Sequence, residues 1–132
     1  MPDLAAVVEF WTGAPRPSTH EIRLIAARSI LATKQTLRET LPAGLTQDPA
    51  VEILLSLFAA GASGSMRIEV ACAATTVAPS VAARWVRALE QDGLVQISEG
   101  ADGQWIALSE QGRARTTKTI DAILAQQADI LG

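Results

Sequence analysis

The chain has 132 residues, 48% of them apolar and 19% charged, with a net charge of −3. Such a chain can bury one ordinary core but not two, and its composition excludes a disordered protein. The slight acidity argues against indiscriminate nucleic-acid binding while leaving room for a local basic patch.

Residues 1–18 read as an N-terminal arm, an apolar piece LAAVVEFW followed by the breaker TGAPRPS, in which Pro15 and Pro17 cannot both lie inside a helix. Its first charges are Asp3 and Glu9, so it makes a poor signal peptide. Thr19 is expected to cap a helix whose small-to-apolar face runs through Ile22, Ile25, Ala26, Ser29, Thr33 and Leu37. That helix can reach Leu41, about 34 Å at 1.5 Å per residue, before Pro42 and Gly44 end it. Leu24 and Leu31 lie outside the stripe and call for a second partner surface.

Asp48-Pro49 is a start signal, an acceptor followed by proline at the first helical position. Residues 51–60 are apolar except for Glu52 and Ser56, which predicts the buried central helix, and GASGS then breaks it. A short helix is expected from residue 66 through Ala74, and another from Ala78-Pro79 to Asp92-Gly93. Residues 94–97 and 105–108 read as two strands joined by a turn at Asp102-Gly103. Ser109 should cap a last helix with a seam at Ile120, Ile123, Leu124, Gln127 and Leu131. The fold class is therefore mainly α with a small β-hairpin wing.

The two short helices form a helix-turn-helix, in which VACAAT supplies the first helix and turn and PSVAARWVRALE the second. Spacing places Val81, Trp85, Ala88 and Leu89 inward, with Ser80, Ala83, Arg84 and Arg87 on the outer side. Small residues at Ala82 and Ala83 would let the backbone approach a DNA groove. Arg84 has the reach for a guanine edge and Arg87 for a phosphate. Ser80, in the first turn, can join free amides in holding a phosphate, and Arg67 is a further candidate DNA contact.

At these residues the sequence resembles the MarR-type winged-helix transcriptional regulators. The resemblance is carried by VACAATTVAPSVAARWVRALEQDGLV, by the hairpin after it, and by LSEQGRA at residues 108–114; with LLSLFAAG and the flanking helices it covers about residues 19–131. It implies one domain over residues 19–132, with dimerisation helices at 19–47 and 109–132 around a winged helix-turn-helix lobe at 48–108. It also implies a homodimer on an inverted-repeat operator of double-stranded DNA, often acting as a repressor relieved by a small ligand, and the single cysteine fits a cytoplasmic location. An apolar or aromatic effector would then sit in a cleft near Leu24, Ala27, Leu31, Leu54 and Phe58.

The wing departs from that pattern, because Glu99-Gly100-Ala101-Asp102-Gly103 contains no base where the family carries a minor-groove arginine. Ala78 also replaces a capping serine or threonine, at a cost of about 1 kcal/mol. Over residues 63–108 the bases Arg67, Arg84 and Arg87 stand against Glu69, Glu90, Asp92, Glu99 and Asp102. Arg113, Arg115, Lys118, Arg16 and Arg23 are the available reinforcements. Binding is expected to be weaker and more salt-sensitive in outcome than that of a basic-winged relative, or limited to a few operators. The alternative is a winged-helix protein-interaction module whose acidic hairpin is its contact edge.

Trp85 is expected in the core beside Val81 and Leu89, Trp105 in the hairpin packing, and Trp11 against a partner or the ligand cleft. Cys72 reads as a small buried apolar residue rather than a redox sensor. His20 faces solvent, and a lone histidine makes no metal site. No second histidine, no tyrosine, no metal-spaced set and no phosphate loop appear, so neither catalysis nor a cofactor is expected.

Overall fold

Ser18 accepts a hydrogen bond from the Glu21 amide through its hydroxyl at 3.1 Å, and the first helix follows directly as α1, Thr19–Thr40. The cap is thus one residue earlier than the sequence suggested, and Thr19 is already helical. The computed structural model describes residues 18–41, 48–60 and 64–131. The arm, Trp11, Arg16, Pro42 and Gly44 lie outside the described residues. After α1 come α2 (Pro49–Ala59), β1 (Ser65–Arg67), α3 (Ile68–Ala73), α4 (Pro79–Gln91), β2 (Val95–Gly100), β3 (Gly103–Leu108) and α5 (Glu110–Leu131).

α2 is the axis of the core, as its unbroken apolar run predicts. Ile53, Leu55, Leu57 and Phe58 are buried on nearly all its sides, against Ala26 and Ala27 of α1, Val86 and Leu89 of α4, and Ile120 of α5. The sheet closes one end with Val95, Ile106 and Leu108. Asp48 and Pro49 begin α2 as expected, but the Asp48 carboxylate does not cap it. It pairs instead with Lys34 at 3.0 Å and so fastens α2 to α1.

The α1 stripe is displaced from its expected line. Ala26 and Ala27 are buried and Leu24, Ile30 and Leu31 pack on the core, whereas Ile25 is 51% exposed and Ser29 and Thr33 face solvent. Two alanines side by side let α1 lie close to α2, which is why the smaller residues face in.

Two further differences concern the sheet and α4. It has three antiparallel strands in the order β1-β3-β2, not a lone hairpin. Residues 65–67 form a strand because Ser65, Met66 and Arg67 pair with Ala107, Ile106 and Trp105. The hairpin register sets Gly100 opposite Gly103, so Ala101 and Asp102 are the turn residues, one position earlier than Asp102-Gly103.

On α4 the buried residues are Ala82, Val86 and Leu89, while Trp85 is 42% exposed and Val81 and Ala88 are half-buried. Two stripes with the same spacing compete here, and the one without the tryptophan at its centre wins. Ala82 is fully buried and lets α4 approach its neighbours, whereas an inward Trp85 would hold the helices apart. Truncating Trp85 should therefore be mild. Trp85→Ala is expected to cost less than about 1 kcal/mol in urea unfolding and Val86→Ala about 2 kcal/mol; the reverse order would restore the inward tryptophan.

The exit from α4 is a Schellman motif. Gly93 takes φ +76° and donates to the Glu90 carbonyl at 2.9 Å, and the Leu94 amide donates to Leu89 at 2.9 Å. Leu94 in turn accepts from the Ser109 amide at 3.0 Å, and the Ser109 hydroxyl donates to the Gly93 carbonyl at 2.5 Å. The same hydroxyl oxygen accepts from the Gly112 amide at 2.9 Å, so Ser109 caps α5 as its position predicted. Gly112 sits so close that a Cβ there would lie 1.8 Å from the Leu94 carbonyl oxygen. Since that obstacle is backbone, Gly112→Ala should destabilise by about 3 kcal/mol or more in thermal or urea unfolding; a change under about 0.5 kcal/mol would show that the junction is loose.

Candidate nucleic-acid interface

α3 and α4 are joined by a turn that Thr75 stabilises, its hydroxyl donating to the Cys72 carbonyl at 2.8 Å and its amide to the same oxygen at 3.1 Å. Ala78 opens α4 without a side-chain cap, and its carbonyl instead receives the amides of Val81 at 2.9 Å and Ala82 at 3.0 Å. Pro79 has no amide hydrogen, so few first-turn donors remain for an anion. Ser80, exposed, contributes its hydroxyl.

The outer face of α4 carries Ser80, Ala83, Arg84 and Arg87, all exposed. Ser80, Arg84 and Arg87 follow one another at four and three residues, so one surface presents all three. Among the described residues, neither Arg84 nor Arg87 makes an ion pair. Of the four residues expected inward only Leu89 is buried, and of the two alanines expected to meet a groove, Ala82 faces the core and Ala83 faces out.

Each flank of that outer face is concave. On one side α3, α4 and the wing enclose about 840 Å³, with Arg87 and Glu90 on one wall, Glu69 and Cys72 on another, and Ile97 and Gln104 from the hairpin. On the other side Val81, Arg84, Trp85 and Ala88 line a shallower trough of about 380 Å³.

Arg67 is not free. It pairs with Asp102 at the wing turn, and its guanidinium lies 5.9 Å from the Trp105 ring centroid. The Trp105 indole N–H, and after it the Arg67 charge, hold the Asp102 carboxyl below the usual carboxylate range. Of the other wing acids, Glu99 accepts from the Gln104 amide at 2.9 Å.

Of the reinforcing cations among the described residues, Arg23 is committed to an ion pair, whereas Arg113, Arg115 and Lys118 make none. Arg23 forms a two-pronged bond with Asp121 at 2.9 and 2.8 Å, tying α1 to α5 and lowering the Asp121 pKa. Arg113 lies 5.9 Å from the Phe58 ring centroid. Arg115 and Lys118 line a separate depression on α5 with Ala122 and Ile123.

The residues expected to line an effector cleft, Leu24, Ala27, Leu31, Leu54 and Phe58, are packed in or against the apolar core and do not line the depressions just described. Sequence reasoning missed a buried charge beside them. Glu52, 1% exposed, lies 2.8 Å from Arg38, yet the angles leave both carboxylate oxygens without a hydrogen bond. Its one signal was an acid inside an otherwise apolar helix.

No family model matches the chain, and no curated protein is similar to it in sequence. Among solved structures it resembles a MarR family transcriptional regulator from Silicibacter pomeroyi DSS, at 21% identity and a TM-score of 0.55, over 93% of this chain and 83% of that one. The chain has that regulator's fold. A probable transcriptional regulator from Pseudomonas aeruginosa is also similar, at 22% identity and a TM-score of 0.48, over 80% of this chain and 78% of that one.

Within this MarR-type fold, α3 and α4 are the helix-turn-helix and the β2–β3 hairpin is the wing. No helix among the described residues is long and apolar enough to cross a membrane, and no group of three or more metal-ligating side chains occurs among them. Cys72 is half-buried on the wall of the larger concavity. Burial, and secondarily the Glu69 carboxylate, push its thiol pKa up. It is therefore a thiol at neutral pH and should react with iodoacetamide more slowly than a free cysteine, accelerating as pH rises above about 9. Rapid modification at pH 7 would mark a thiolate and reopen a redox role.

Proposed function

We propose that the protein is a sequence-specific DNA-binding transcriptional regulator that works as a cytoplasmic homodimer, with α4 entering the major groove. The observation that carries this reading is the outer face of α4, where Arg84 and Arg87 are exposed three residues apart without an intramolecular ion pair. Leaving two guanidinium groups uncompensated on the second helix of a helix-turn-helix suits a polyanion as partner. Arg84, at the crest, reads a base edge; Arg87 and Ser80 hold phosphates, and Ala83 keeps the backbone close to the groove. Symmetry would then set two α4 helices on half-sites about 34–36 Å apart.

A ligand-relieved repressor is the form of regulation we favour. An apolar or aromatic effector near Leu24, Ala27, Leu31, Leu54 and Phe58 would have to part α1 from α2, because those side chains are in contact with the core. Such parting would move α2, against which α4 packs, and so bias the separation of the recognition helices.

The test is DNA binding by the native chain and by Arg84→Ala and Arg87→Ala, using a pool of random duplexes at low salt and the DNA upstream of its own gene. Arg84→Ala should cost about 5- to 100-fold and relax preference at one base pair. Arg87→Ala should weaken all duplexes alike and make the slope of log K against log salt shallower by about one per protomer. Native protein that binds no duplex would favour the protein-interaction reading, with exposed Glu90, Asp92 and Glu99 as its contact edge. A monomer in sedimentation at micromolar concentration would remove the symmetric operator.

A further inference from the structure

The wing tip contains a closed charge pair on the rim of the same surface. Arg67, the last residue of β1, stands opposite Trp105 in the sheet register, and Asp102 occupies the hairpin turn. Arg67 Nη2 donates to Asp102 Oδ2, Trp105 Nε1 donates to Asp102 Oδ1 at 3.3 Å, and the guanidinium lies over the indole. Two side chains, one from β1 and one from β3, thus converge on the carboxylate of the turn.

Both partners are about half exposed, 46% for Arg67 and 55% for Asp102. A pair so open to water is readily exchanged. A phosphate presents the guanidinium with the same pair of charged oxygens that a carboxylate does. The residues after Arg67, Ile68 and Glu69, wall the concavity to which α4 gives Arg87 and β3 gives Gln104. The pair therefore borders the ground between α4 and the wing, where a duplex held by α4 would pass.

We propose that Asp102 is an internal stand-in for phosphate: in the free protein it holds Arg67 in place over Trp105, and a backbone phosphate of double-stranded DNA replaces it on the guanidinium. This rests on the DNA-binding reading above. Trp105 makes the exchange workable from both sides. Its ring face keeps the guanidinium positioned after Asp102 is displaced, and its N–H remains as a donor to the released carboxylate. The wing, acidic in sequence, then contributes a cation supplied by β1, and Asp102 sets how strongly it is offered.

The experiment uses the full chain and a duplex selected from the random pool, with anisotropy titrations across a salt series. Asp102→Asn keeps an acceptor but removes the competing charge, and should bind several-fold tighter at about 0.1 M salt with the native salt slope retained. Arg67→Ala should bind more weakly with a slope shallower by about one per protomer. Asp102→Asn should bring no tightening in the Arg67→Ala background. The last result separates exchange from general repulsion: equal tightening in both backgrounds overturns the proposal. So does Asp102→Asn that binds like the native chain, or more weakly, which would make the pair only a brace between β1 and the hairpin. Either outcome with Arg84- and Arg87-dependent binding intact sinks this inference alone, whereas a native chain that never binds DNA sinks both.

Discussion

Leu94 gives its amide to the Leu89 carbonyl and its own carbonyl to the Ser109 amide, so one residue closes α4 and helps open α5. Gly93 and Gly112 are the two places where this demands glycine, one for a positive φ and one for contact with backbone. The consequence is mechanical. β2 departs from the junction and β3 returns to it, so the wing, the exposed face of α4 and the axis of α5 are all aimed from the same few hydrogen bonds. A side chain on α4 cannot rotate relative to the wing without breaking the motif that ends the helix.

With orientation fixed there, the distribution of charge decides what the surfaces can do. The chain carries 11 bases against 14 acids, and most of the resolved pairings join elements: α1 to α5 through Arg23 and Asp121, α1 to α2 through Lys34 and Asp48, and β1 to the wing through Arg67 and Asp102. Exposed pairs of this kind contribute little to stability. Their larger effect is to engage Arg23, Lys34 and Arg67, while Arg84 and Arg87 stay unpaired on the outer face of α4. Arg38 and Glu52 differ, since a carboxylate at 1% exposure with imperfect partners costs more to bury than it returns.

How much of this could be read beforehand depended on whether the governing interaction was local. The element order, the Asp48-Pro49 and Ala78-Pro79 starts, the Ser109 cap and the glycine exit from α4 are encoded within a few residues, and the sequence displays them. β1 was invisible because three residues have no period; only pairing with β3 makes them a strand. The register of α4 was misread because Val81-Trp85-Ala88 and Ala82-Val86-Leu89 have identical spacing, and side-chain size pointed to the wrong one. On α4, spacing alone placed Ser80, Ala83, Arg84 and Arg87 on the outer face, where they are exposed, whereas the commitment of Arg67 to Asp102, 35 residues away, could not be read from it.

On the DNA-binding reading proposed above, the scarcity of bases around α4 would change what salt does to a complex. Fewer phosphate contacts make binding weaker but its salt slope shallower, since each contact adds about 0.9 to the slope. If Arg84 and Arg87 each neutralised a phosphate in a dimer, affinity would fall about 10²-fold between 50 and 200 mM salt; with Arg67 joining them it would fall about 10³-fold. If Arg84 instead reads a base, both losses shrink while discrimination grows. Such a surface would rely on base edges and shape more than on bulk charge, so an acidic chain would lose little in specificity and mainly forgo nonspecific adhesion to DNA. On that reading the acids flanking α4 would act as discriminators, repelling any duplex whose sequence does not offset the approach.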